Sequence, residues 1–213
     1  MQNDRLILGI AILLAIVGCF GLAVLFGLLH RRKTFIENLK AFDVWPQVRD
    51  AGFDFSGLLY GIWKDYSATQ RGMIVRDCRD QQVGRIGYRA GVRQGWISIE
   101  TPDGMKFEAD VVPALHQSLF LHRADDASES LCNFTRLAGG VYRFEAKSIG
   151  LLESVPPRGL HVTPVFPYTM NGTPAGVSCH LGGMLDRGRI LVLPESLPLA
   201  VRLFVLAMQG QRS

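Results

Sequence analysis

From Gly72 onward, apolar and polar residues alternate with period two, and polar turns interrupt the alternation every eight to twelve residues. Met73-Ile74-Val75 runs into the turn Asp77–Gln82 and then into Val83–Tyr88. Gln94-Gly95 precedes Trp96–Glu100, and Pro102-Asp103-Gly104 precedes Met105–Val111. Alternation sends successive side chains to opposite faces of a strand, while Asp, Gly and Pro supply turn conformations, so the pattern predicts hairpins. Further short strands are expected at Ser118–His122, Leu131–Thr135, Val141–Ala146, Leu160–Val165, Val177–His180 and Arg189–Val192, with loops at Asp125–Ser130 and Ser154–Gly159. Ala51–Tyr66 is dense in aromatics and broken by Gly52, Gly57 and Gly61; it either begins the first strand or covers the core. So many short strands at this spacing predict a mainly β fold, an antiparallel barrel or sandwich.

The pattern changes at both ends. Leu199–Met208 reads LAVRLFVLAM, apolar on every side of a helix except at Arg202. Such a helix belongs in an apolar interior, and it is too short to span a bilayer. A terminal helix over residues 196–209 is therefore expected to fill the β-structure as a plug. At the other end, Leu6–Leu29 contains no charged or polar side chain. As a helix this segment is roughly 36 Å long, enough for a hydrocarbon core of about 30 Å. It is too long for a signal-peptide apolar region and ends in Leu28-Leu29-His30-Arg31-Arg32-Lys33 without a small-residue cleavage pattern. An uncleaved single-pass transmembrane helix is expected. Arg31, Arg32, Lys33 and Lys40 outweigh Arg5, which is offset by Asp4, and the positive-inside rule places residues 1–5 outside and the C-terminal domain in the cytoplasm.

Within the span Ala11, Ala15, Cys19, Ala23 and Gly27 recur every fourth residue. They form a smooth stripe on which another helix, a second copy or a different protein, can pack. Residues 30–54 form a basic juxtamembrane segment. Phe35, Leu39 and Phe42 give it a short amphipathic helix that ends before Pro46, serving either as a headgroup-level element or as a connector packed on its own domain. The remaining residues, 55–213, are expected to be the β-rich domain.

Composition narrows the function classes. The chain has 213 residues, 48% hydrophobic and 20% charged, with a net charge of +4. These values exclude disordered, fibrous and multi-span classes, and the charge is too small to argue for nucleic acid. Cys78, Cys132 and Cys179 are an odd, widely spaced set, which suits a reducing compartment rather than a disulfide framework. The sequons at Asn133 and Asn171 are expected to be idle on that side of the membrane.

The strand series with Asp and Gly at its turns (Asp77–Ile86, Asp103-Gly104), the pair Arg136–Phe144, and Gly188–Pro194 followed by the apolar helix resemble the tubby C-terminal-like superfamily, which groups tubby-like, phospholipid scramblase-like and LURP-one-related domains. The resemblance covers roughly residues 55–210 and lies in structural motifs. It implies a membrane-associated module that binds lipid or phosphoinositide. The chain departs from scramblase-like proteins in having a separate span at its N-terminus, and no catalytic residue is carried over.

Candidate chemistry centres on arginine. Arg71, Arg76, Arg79, Arg85, Arg89 and Arg93 lie in one short stretch, opposed only by Asp77 and Asp80. The planar guanidinium fork matches phosphate oxygens, and Arg76, Arg79, Arg85 and Arg89 are the candidate lipid- or anion-binding residues, with Tyr88 and Trp96 as interfacial anchors. The alternative is that these are ordinary charges at solvent-facing strand positions, since Arg-rich strand edges also serve to block edge pairing. Cys179 and His180 are adjacent and point to opposite faces of a strand; His116 and His122 match no zinc spacing; no nucleotide-binding or nucleophile-elbow motif occurs. The expectation is a non-enzymatic, membrane-anchored binding module without cofactor or metal that contacts anionic headgroups or a membrane-proximal partner. The alternative is an accessory subunit of a larger membrane complex, held by the small-residue stripe.

Overall fold

A computed structural model describes residues 55–67, 70–89, 95–111, 118–154, 165–181 and 188–209, together with Val17, Gly18, Cys19 and Gly21. The chain divides into two units, Met1–Trp45 and Pro46–Ser213. In the first, Val17–Cys19 and Gly21 are helical and exposed. The remainder of the expected span, including Ala11, Ala15, Ala23 and Gly27, lies outside the described residues, as do residues 30–54. Among the described residues no helix is long and apolar enough to cross a membrane.

The second unit is a closed barrel of twelve antiparallel strands. Its strands are β1 (Leu58–Ser67), β2 (Gln70–Asp77), β3 (Gln82–Arg89), β4 (Gly95–Glu100), β5 (Lys106–Val111), β6 (Ser118–Arg123), β7 (Asp126–Arg136), β8 (Tyr142–Ala146), β9 (Gly150–Ser154), β10 (Val165–Met170), β11 (Thr173–Leu181) and β12 (Gly188–Val192). Each strand pairs with the next, and β1 closes the ring against β12 through Leu58↔Val192 to Ile62↔Gly188. Closure removes both sheet edges. The turns at one end are tight. Asn171 (φ 51°) and Gly172 (φ 82°) both take positive φ between β10 and β11, as a primed two-residue hairpin requires.

Pro194–Pro198 then turn the chain into the barrel, and the helix α1 (Leu199–Gln209) fills it. Leu203, Phe204, Val205 and Leu206 are completely buried, as a helix apolar on every side requires. Inward residues of the strands meet α1 all round. Phe144 stands edge-on to Phe204 at 6.1 Å and packs on Phe134 at 5.1 Å. A Cβ on Gly84 would lie 2.8 Å from a Leu203 methyl, so β3 approaches the helix closely because that position has no side chain. The barrel is thus one of the two expected architectures, and the terminal helix is its filling.

Several local expectations are corrected. The tract 125–130 is not a loop: β7 begins at Asp126 and pairs with β6 through Arg123↔Asp126 and His122↔Ser130. Its polar side chains reflect exposure on both faces rather than a break in the strand. The strand expected at residues 160–165 is instead β10, which starts at Val165; residues 160–164 lie outside the described residues. β10 carries Pro167 opposite Val177 of β11, one residue before Tyr168, where its described pairing with β9 begins. The short strand β9 is an addition to the expected series. Residues 196–198 precede α1 rather than belonging to it.

One flank departs from simple inside–outside alternation. Leu59 and Leu191 face the core, yet their neighbours Leu58, Tyr60, Ile190 and Val192 are also buried, and Val177 and Cys179 of β11 are buried on the same outer side. β1, β11 and β12 are therefore shielded on both faces here, which explains the continuous apolar runs Leu58-Leu59-Tyr60 and Ile190-Leu191-Val192.

Candidate functional site

The arginine stretch maps onto β2, the β2–β3 turn and β3. Ile86 points inward, so Arg85, Gly87 and Arg89 point outward, with Arg85 and Arg89 about 13 Å apart along the strand. The register places Gly72 and Ser98 on either side of Gly87, Ile74 and Glu100 beside Arg85, and Gln70 and Trp96 beside Arg89. Gly72, Gly87 and Ser98 thus form a shallow floor between two arginine-bearing rows. A Cβ on Gly87 would meet the Ser98 hydroxyl at 2.6 Å, so that floor depends on the glycine. Arg89 lies over the ring of Trp96 at 4.8 Å, which orients its guanidinium.

Arg76 is already engaged. Its Nη1 donates to the Asp80 carbonyl at 2.6 Å and lies 3.6 Å from the Asp80 carboxylate. The Tyr60 hydroxyl donates to the same carboxylate; burial and Asp80 hold that hydroxyl well above the usual tyrosine range. The Asp77 carboxylate accepts the backbone N–H of Arg79 and of Gln81, both at 2.9 Å, and so builds the turn. Both aspartates of the stretch are thereby used in local structure. Arg79, at the exposed turn, and Arg85 and Arg89 form no ion pair with a described residue, although Glu100 stands beside Arg85 in register.

The opposite flank behaves differently. Arg123 pairs with Asp125 at 2.9 Å, Arg143 with Glu153 at 2.9 Å and Lys147 with Glu129 at 3.1 Å. These three basic side chains are neutralised locally and Arg136 lies over the Tyr142 ring at 5.9 Å, whereas Arg85 and Arg89 of β3 form no ion pair with a described residue.

Two expectations about this region change. Tyr88 shares the inward parity of Ile86 and is no surface anchor: its hydroxyl donates to the Ala207 carbonyl of α1 at 2.7 Å. That bond and the Gly84–Leu203 contact hold β3 from inside and keep its outward face in a fixed register. Arg71 shares the inward parity of Met73 and lies at the barrel rim over Trp63 at 4.9 Å, away from the outer row. Arg93 lies outside the described residues. Of the four candidate residues, Arg76, Arg85 and Arg89 share one outer face, and Arg79 stands at its end.

Sequence reasoning did not find the polar cluster inside the barrel. Arg189 is 1% exposed; its Nε donates to the Gln209 carbonyl at 3.2 Å and its Nη1 to the Gly188 carbonyl at 2.9 Å. It places a cation at the negative end of α1. The Gln209 amide donates to the Tyr168 hydroxyl, and the Trp63 ring lies 5.7 Å from the Arg189 guanidinium. Clefts of about 480, 690 and 530 Å³ lie elsewhere on the surface and are lined by none of the four candidate arginines. Among the described residues no group of three or more His, Cys, Asp or Glu side chains is placed to hold a metal ion. Of the helix-packing residues, Cys19 alone is described, and it is an exposed free thiol. Comparison of the chain with family models, with curated proteins and with solved structures finds no match to any of them.

Proposed function

We propose that the protein is a non-enzymatic binding module, anchored by the apolar segment at residues 6–29, whose barrel presents Arg79, Arg85 and Arg89 to anionic lipid headgroups. The observation that carries this reading is the contrast in charge pairing. Arg123, Arg143 and Lys147 have carboxylate partners within 3.1 Å, whereas Arg79, Arg85 and Arg89 have none among the described residues, and Arg85 and Arg89 flank a floor of Gly72, Gly87 and Ser98. A phosphate between Arg85 and Arg89 would gain charge-assisted, forked hydrogen bonds, and a nearby anchor raises the effective concentration of the surface it faces. Arg76 supports the site by holding the β2–β3 turn. The arrangement of antiparallel strands around an apolar terminal helix is in keeping with the tubby-like resemblance.

The test is co-sedimentation of residues 34–213 with phosphatidylcholine vesicles and with vesicles containing about 30% phosphatidylserine, at two salt concentrations. Binding to the anionic vesicles alone, weakened by salt and lost in the Arg85→Glu/Arg89→Glu variant, supports the reading. A folded domain that ignores anionic vesicles at low salt refutes it.

A further inference from the structure

The outer face that carries Arg85 and Arg89 does not end with positive charge. Ile97 and Ile99 of β4 and Phe107 and Ala109 of β5 point into the core, so the residues alternating with them point outward, as Arg85 and Arg89 do. The register sets Ser98 between Gly87 on β3 and Glu108 on β5. Asp110 follows Glu108 on the same face, opposite Trp96, and Lys106 precedes it, opposite Glu100. Two rows of unlike charge therefore face each other across the small side chain of Ser98, arginines on β3 and carboxylates on β5. Glu108 and Asp110 are exposed, and neither forms an ion pair with a described residue.

A bare phosphate is poorly served by this arrangement, because carboxylates two strand spacings from the arginines, about 10 Å, repel it. A phosphate ester that also carries a cation is served at both ends. With bonds of about 1.5 Å, the phosphorus and the nitrogen of an aminoethyl phosphate lie about 5 Å apart. One strand spacing is about 4.8 Å. A phosphate centred over β4, within reach of Arg85, Arg89 and the Ser98 hydroxyl, thus puts its amine over β5 at Glu108. A primary ammonium brings N–H donors to both carboxylates; a quaternary ammonium has none, and a glycerol headgroup has no cation to offer.

We infer that this face recognises the headgroup of an aminophospholipid, with the phosphate on Arg85 and Arg89 and the primary ammonium on Glu108 and Asp110. The inference rests on the lipid-binding reading above and narrows it to one class of headgroup.

The test is calorimetric titration of the full chain, held in phosphatidylcholine nanodiscs with empty discs subtracted, using soluble dihexanoyl lipids in two pairs of equal charge. Phosphatidylserine is set against phosphatidylglycerol, and phosphatidylethanolamine against phosphatidylcholine. In each pair the amine-bearing lipid should bind about fivefold more tightly, the upper end for exposed ion pairs. Glu108→Gln/Asp110→Asn should bring each pair to within about twofold. Glu129→Gln, which removes a carboxylate on β7 away from this face, should leave the preference intact. Equal binding of phosphatidylserine and phosphatidylglycerol by the unaltered protein overturns the proposal, without dependence on any variant's folding. If that equal binding is lost in Arg85→Glu/Arg89→Glu, the broader anionic-lipid reading stands without the proposal; if no lipid binds better than phosphatidylcholine, both fall. A preference that persists in Glu108→Gln/Asp110→Asn also overturns the proposal.

Discussion

Phe204 is the sharpest point at which to test whether α1 carries the stability of the barrel. It is 0% exposed and meets Phe144 edge-on at 6.1 Å, and Phe144 in turn packs against Phe134. Phe204→Ala removes a ring surrounded by strands that are tied into a closed ladder and cannot collapse inward to refill the space. The expected loss is therefore in the upper part of the usual range, about 3–5 kcal/mol. For a domain of this size that lowers the midpoint of thermal unfolding by about 6–20 °C. Phe120→Ala is the internal comparison. Phe120 lies on the outer face of β6, 54% exposed, and its removal should change stability by no more than about 0.5 kcal/mol. Urea unfolding followed by tryptophan fluorescence reads both, provided the slopes stay equal. If the two variants lose similar amounts, or Phe204→Ala loses less than about 1 kcal/mol, the helix does not bear on the strands as described.

Two further outcomes follow from the interior. Tyr88→Phe deletes the bond to the Ala207 carbonyl and should cost about 1–2 kcal/mol, more than a surface hydrogen bond because it leaves a buried carbonyl unpaired; urea unfolding measures it. Burial pushes the thiols of Cys132 and Cys179 up to about 12 from a usual value near 9, opposed at Cys179 by Arg189, whereas Cys78 is exposed. At pH 8 a disulfide reagent should therefore label Cys78 at once and the other two only on unfolding. Both thiols are neutral in either state below about pH 9, so their contribution to stability is complete there. As pH rises from about 9 to about 12 the unfolded thiols ionise first, and stability falls by about 1.4 kcal/mol per pH unit for each. Cys132→Ala/Cys179→Ala should flatten that decline, and an unchanged slope would contradict the assignment.

The sequence carried the barrel where the physics of one strand suffices. Pro102-Asp103-Gly104 and Asp77–Gln82 mark turns by their residue types, and Met73, Val75, Ile86, Ile97 and Ile99 mark inward faces by alternation. It failed where partners decide. β7 begins in a polar tract that is strand only because β6 pairs with it. The continuous apolar runs of β1 and β12 say nothing about direction, because both faces are shielded. At the candidate site the residue types were legible and the parity partly so. Tyr88 stands two residues after Ile86 and had to point inward, a signal that was present in the pattern. The use of Asp77 and Asp80 to build the turn, which leaves Arg79, Arg85 and Arg89 without an ion pair among the described residues, depends on geometry that no spacing rule contains. Arg202 was visible as the one charge in an apolar helix; that its Nε is buried without a hydrogen-bond partner among the described residues was not.

The closing pair β1–β12 has a consequence for the order in which this domain acquires its structure. The first stave of the barrel waits for the last, and the material that fills the ring follows the last stave in the chain. Until α1 is available, up to twelve strands have inward apolar faces and nothing to press them against. Local hairpins form early, but the event that makes them cooperative joins residues more than a hundred positions apart, so loop-closure entropy sets the pace and folding is slow for the domain's size. During that interval the sheet has two open edges, the condition in which β-chains adhere to one another. An anchor that confines each chain to its own patch of surface would keep neighbouring half-built sheets apart while the ring waits to close.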